Sequence, residues 1–114
     1  MAGPLEGYKI IDLTTMIAGP FATMLLGDQG ADVIKVEIRG RGDHVRATAN
    51  QHSGFSASFL NNNRNKRSIT LDLKDDQGRS VLHRLATTAD VLVQNFRPGV
   101  VERLGISEEE IRPI

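Results

Sequence analysis

The stretch Lys9–Glu37, KIIDLTTMIAGPFATMLLGDQGADVIKVE, decides the fold. It opens on a short β-branched run, Lys9–Leu13, and closes on another, Val33–Glu37. Runs of this length, apolar and bounded by turn residues, read as buried strands. Between them Ala18-Gly19-Pro20 makes a turn that opens a helix, since proline is tolerated where the first-turn N–H has no partner. Phe21–Gln29 is apolar nearly all round, which predicts a buried helix. Gly30 suits its end. Strand, helix and strand with a tight crossover make a βαβ unit, and such crossovers are right-handed.

Working outward, the same alternation continues. Residues 1–7 hold Gly3, Pro4 and Gly7 and read as an irregular lead-in. Residues 38–54 contain three glycines and no clear period, and read as a loop. Phe55–Leu60 fits one or two helical turns. Ser68–Leu73 (SITLDL) alternates and is the third strand; Val91–Gln94 (VLVQ) is the fourth. Asp75 or Asp76 can cap a helix that runs to Ala89, with an apolar stripe of Val81, Leu82, Leu85, Ala86 and Ala89. Pro98 starts a short helix that Gly105 ends. Ser107 and Glu110 fit a capping box for one more. Alternating elements of this kind predict an α/β fold, with four parallel strands in the order of the runs and flanking helices.

The bulk composition narrows the function. At 114 residues the chain reads as one domain, 1–114. A chain of this size buries roughly two-thirds of its unfolded surface. Fourteen basic side chains balance fourteen acidic ones, which argues against a nucleic-acid module that depends on net charge. There is no cysteine, so disulfides, thiolate metal sites and cysteine nucleophiles are excluded. No secretory pattern opens the chain, and no apolar run approaches the ~20 residues of a membrane span. The expectation is a cytoplasmic protein with no nucleic-acid or membrane partner.

Four tracts follow the four strands, TTMIAGP, IRGRGD, DLKDDQG and NFRPG, and a basic patch precedes the third strand. In an open parallel sheet, ligands bind beyond the carboxyl ends of the strands. The first tract, Thr14–Pro20, is either a tight βα turn or a backbone site at a helix N-terminus. It has a lone Gly19 in place of a dinucleotide fingerprint. The second, Arg39-Gly40-Arg41-Gly42-Asp43 with Arg46 beyond, is either a solvated loop or an anion loop whose arginines pair with phosphate. Asn63-Arg64-Asn65-Lys66-Arg67 is the densest basic patch, and such a run is usually a solvated face. The last, Asn95-Phe96-Arg97-Pro98-Gly99, is either a packed turn or a place for a purine ring and a phosphate. Arg103 and Leu104 lie about one helical turn further. His44, His52 and His83 have no metal-ligand spacing, Asp12 reads as structural, and no acid–base pair stands out. The predicted metal set and the predicted catalytic set are therefore both empty.

Taken in order, PLEGYKIIDLT, IAGPFATMLLGDQGADVIKVE, GRGD, NRNKRSITLDLK and ADVLVQNFRPGVVERLG resemble the N-terminal part of the class III CoA-transferases. That CaiB/BaiF-type family includes formyl-CoA transferase, carnitine CoA-transferase and α-methylacyl-CoA racemase. The resemblance covers nearly the whole chain. It implies a Rossmann-like sheet, coenzyme A or an acyl-CoA as ligand, no metal, and an interlocked homodimer. By motif position it implies CoA contacts at Ile17, Ala18, Leu71, Lys74, Asn95, Phe96, Arg97, Arg103 and Leu104. Ile38 stands where some members carry a basic residue, so Arg39 or Arg41 takes that role. Family members run several times longer. The aspartate that carries the acyl group, and the racemases' His and Asp, are implied beyond residue 114. The chain thus reads as a CoA-binding segment that is inactive alone. A racemase segment and a stand-alone nucleotide-binding module are the competing readings.

Overall fold

A computed structural model describes residues 3–48 and 51–113. Its centre is β1 (Lys9–Asp12), the Lys9–Leu13 run of the sequence. β1 pairs in parallel with β2 (Asp32–Ile38) on one side and β6 (Val91–Val93) on the other. β2 pairs with β5 (Lys66–Leu71), also in parallel. The sheet order is therefore β5-β2-β1-β6. All four strands run parallel as expected, but they do not lie side by side in chain order. The first strand is inserted between the second and the fourth.

The helices cover both faces. Successive side chains of a strand point to opposite faces. On one face Ile11, Leu13, Ile34 and Val36 meet Leu82 and Ile106. Leu82 belongs to α3 (Asp76–Ala86), and Ile106 links α4 (Val100–Leu104) to α5 (Glu108–Ile111). On the other face Ile10, Ala31 and Val33 pack with Leu26 of α1 (Ala18–Asp28). The cluster under α1 is the smaller, because further along the strands that face turns polar. Asp12, Lys35 and Glu37 are all buried there.

Several boundaries differ from the expectations. β5 starts two residues early, at Lys66, because that lysine is drawn inward to a buried carboxylate. α3 ends at Ala86, three residues before Ala89. Asp75 caps it, its carboxylate accepting from the Gln77 N–H. The short helix after Pro98 begins at Val100, and the Ser107–Glu110 capping box forms as read. Phe55–Leu60 is not simply helical. Phe55–Ser56 is a strand, β4, paired with β3 (Gln51–His52), and α2 spans Ala57–Asn62. The segment read as a loop contains a 3₁₀ turn, His44–Ala47. Its residues 49 and 50, like residues 1 and 2 of the lead-in, lie outside the described residues. α1 is only half-buried. Pro20, Thr23, Met24 and Gly27 face inward, while Ile17, Phe21 and Leu25 lie exposed along its other side.

Candidate functional site

The loops that leave β1, β2, β5 and β6 at their carboxyl ends surround a cleft of about 440 Å³. Its apolar wall includes Leu71, Phe96 and Leu104. Arg39 and Lys74 stand at its rim, with Thr14, Thr15 and His44 nearby. The structure thus brings together five of the residues singled out in the sequence: Arg39, Leu71, Lys74, Phe96 and Leu104. Arg97 and Arg103 are exposed on the segment that carries Phe96 and Leu104, but they do not line the cleft. Ile17 and Ala18 are exposed at the start of α1 and do not line it either. A hollow of about 480 Å³ lies elsewhere, beside β6 and against α5, lined by groups such as Ala89, Leu92 and Ile111.

The cleft floor is an ionic network that the sequence reading missed. Lys35 Nζ donates to Asp43 Oδ2 at 2.9 Å and to the Thr14 carbonyl at 3.1 Å, and both side chains of the pair are fully buried. Asp43 Oδ1 accepts from the Met16 N–H and the Val45 N–H, each at 3.0 Å. Glu37 takes both Arg46 Nε and Nη2, the Ser68 hydroxyl and the Asp43 N–H. Burial pushes the Glu37 carboxyl up, but the bonds from Arg46, Ser68 and Asp43 outweigh it and hold it at about 2. Deeper, Asp12 accepts from Thr14, Thr23 and Lys66. Burial raises its pKa, and those donors bring it below the ordinary value. Burial lowers the pKa of Lys66, and Asp12 offsets only part of that.

This network reassigns two tracts. Gly40 and Gly42, at φ 93° and 71°, let the loop after β2 fold back so that Asp43 reaches under the strand ends. The glycines serve that turn, and Arg46 serves Glu37 rather than a ligand. In the Asn63–Arg67 patch, Arg64 pairs with Asp28, Lys66 with Asp12 and Arg67 with Asp32, so its charge is spent internally. The legible signal was the alternation in Val33-Ile34-Lys35-Val36-Glu37, where Lys35 and Glu37 share a face with buried Val33. A charged pair inside so apolar a strand needs buried partners.

The remaining cations are distributed unevenly. Among the described residues, Arg39, Arg41, Lys74, Arg97 and Arg103 lie in no ion pair, and all five follow the carboxyl ends of β2, β5 or β6. Among the described residues, Lys9 and Arg84 are the only other lysine or arginine in no ion pair. The carboxylates at the cleft are, by contrast, engaged: Glu37 and Asp43 as above, and Asp72 with the Lys74 N–H. No cluster of His, Asp or Glu among the described residues is arranged to hold a metal ion. Chemically, the site offers free positive charge beside an apolar wall, with its acids committed to structure.

Known proteins resemble this chain in sequence and in fold. A sequence profile described as CoA-transferase family III matches residues 5–114. The chain is 47% identical over 112 residues to succinyl-CoA:glutarate CoA-transferase of Homo sapiens, covering 97% of this chain and 26% of that protein. It is 47% identical over 115 residues to formyl-CoA:oxalate CoA-transferase of Afipia carboxidovorans, covering 100% of this chain and 27% of that protein. The crystal structure of a CAIB/BAIF family protein from Brucella suis superposes with a TM-score of 0.91 at 37% identity, over 99% of this chain and 31% of that one. The chain therefore spans under a third of the length of these relatives. The match across nearly all its residues, in sequence and in fold, shows that the chain belongs to CoA-transferase family III.

Proposed function

We propose that the chain is the CoA-binding segment of an enzyme that transfers CoA between carboxylic acids, and that its strand-end cleft receives the nucleotide part of an acyl-CoA. The observation that carries this reading is that two cations in no ion pair, Arg39 and Lys74, line the cleft with its apolar wall of Leu71, Phe96 and Leu104, while three more, Arg41, Arg97 and Arg103, lie in the segments after β2 and β6. CoA combines an aromatic base with several phosphates, and such a ligand needs both features. Arg39 and Lys74 reach it from the rim. Arg97 and Arg103 serve the outer phosphates from the flank, and Ile17 and Ala18 contribute at the start of α1. The names of the relatives favour transfer to a carboxylate over racemisation.

The chain by itself supplies binding and not the acyl-carrying group. Transfer through a mixed anhydride needs a free carboxylate as nucleophile. The buried carboxylates of the cleft are held by cations and N–H groups, Asp43 by Lys35 and two N–H groups and Glu37 in a four-donor cage, while Asp72 accepts only the Lys74 N–H. Titration calorimetry with CoA at moderate salt tests the binding. Arg97→Ala and Arg103→Ala should each weaken it by ~1–3 kcal/mol if they make charge-assisted bonds. Unchanged affinity in both would remove them from the site. Incubation of the chain with an acyl-CoA and a carboxylate acceptor should give only background exchange. Turnover by the pure chain would reveal a nucleophile among the residues assigned to structure.

A further inference from the structure

The turn between β1 and α1 holds a strained residue and is gripped by side chains from two distant loops. Met16 has φ 71°, a left-handed conformation that a side chain with a Cβ adopts at a cost. Its N–H goes to buried Asp43, which Lys35 anchors. The neighbouring Thr15 is clamped at both backbone groups by one side chain. Thr15 N–H donates to Asn95 Oδ1 at 3.1 Å, and Asn95 Nδ2 donates to the Thr15 carbonyl at 2.9 Å. Thr14 completes the set, its N–H on Asp12 and its carbonyl on Lys35. Backbone N–H groups of Thr14, Thr15 and Met16 are thus all taken, so this turn presents a fixed shape and not free donors.

We infer that Asn95 and Asp43 are positioning residues: they fix the β1–α1 turn, and Asn95 acts on a ligand through Thr15 rather than by touching it. Both polar ends of the Asn95 amide are committed to Thr15, although the residue sits on an exposed surface where they were free to face solvent or ligand. Thr14 and Thr15 line the cleft, so a shift of the turn moves its wall. The consequence for ligand affinity rests on the reading proposed above; the clamp itself does not.

Asp43 is too deeply paired to substitute safely, so the test uses Asn95→Ala, alone and combined with Met16→Gly. Amide hydrogen exchange and titration with CoA are measured on each. In Asn95→Ala the Thr15 amide should exchange at least tenfold faster, while Ile11 and Ile34 in the sheet are unchanged, and CoA should bind about tenfold more weakly. Glycine accepts the left-handed conformation without the steric cost. Met16→Gly in the same chain should therefore recover most of the lost affinity. Unchanged Thr15 exchange would overturn the proposal. So would an affinity loss that Met16→Gly leaves untouched, since Asn95 would then be a direct ligand contact. If the unsubstituted chain binds no CoA, the proposed function fails, and the Thr15 exchange rate alone decides the clamp.

Discussion

Glu37 shows how a single carboxylate sets the acid limit of the site. Its folded pKa lies at about 2, below the ordinary 4.5. A depressed carboxylate stabilises the fold above its unfolded pKa, and that stability is lost as pH falls through the folded value. Denaturation followed by circular dichroism should therefore show stability falling between about pH 4.5 and pH 2. Glu37→Gln should flatten that slope, and an unchanged slope would assign it to other carboxylates. Lys66 tests the deeper pair. Its side chain and that of Asp12 are both almost wholly buried. Lys66→Ala strands a carboxylate without its cation, and breaking a buried pair from one side costs ~3–5 kcal/mol. Urea unfolding measures it; a cost under ~1 kcal/mol would mean that Thr14 and Thr23 satisfy Asp12 unaided. Gly78 is constrained by space. A Cβ there would fall on the Asp72 carbonyl, backbone that cannot easily yield. Gly78→Ala should destabilise the chain despite its better helix propensity, and should disturb the Asp72–Lys74 corner of the cleft. None of these three roles follows from residue type alone. Lysine and glutamate are almost never fully buried unless paired, and the partners here come from distant segments.

At the scale of elements, what the sequence makes legible depends on whether local periodicity and tertiary packing agree. β1 and β2 were readable because β-branched runs in a parallel sheet are buried on both faces; β6 was readable from its β-branched run alone, since it lies at the sheet edge and Val91 is exposed. β5 was displaced because its first two residues, Lys66 and Arg67, look like loop and are held as strand by Asp12 and Asp32. α3 followed its stripe, and Leu82, with no exposed surface, is its anchor. Leu82→Ala should cost about 2–5 kcal/mol by denaturant titration. α1 misled for the opposite reason. Its sequence is apolar on every side, yet only one side meets the sheet. Ile17, Phe21 and Leu25 recur every four residues along the exposed side, each more than 40% accessible. Replacing Phe21 and Leu25 by serine should change stability by less than about 0.5 kcal/mol each, whereas burial of the whole helix would make the cost several-fold larger.

For the whole molecule, that exposed stripe joins the outer edges of β5 and β6, which pair with no further strand among the described residues. Exposed apolar patches and unpaired edges both favour association. The isolated chain should therefore self-associate, with light scattering after size exclusion showing a mass that rises with concentration. The Phe21 and Leu25 serine variants should shift that mass toward the monomer; a monodisperse, cooperatively unfolding monomer would contradict the expectation. The place of β1 has another consequence, one of timing. Its neighbour β2 follows within the same βαβ unit, but its neighbour β6 lies about eighty residues on, and Asn95 reaches Thr15 across the same gap. During synthesis β5, β2 and β1 are available to form a three-stranded sheet while one side of β1 stays bare. The β6 strand closes it late, because contacts distant in sequence are slow to form. Phe96 and Leu104 of the cleft wall and the clamp on its turn arrive in that same closing step, so the cleft is complete only when the fold is.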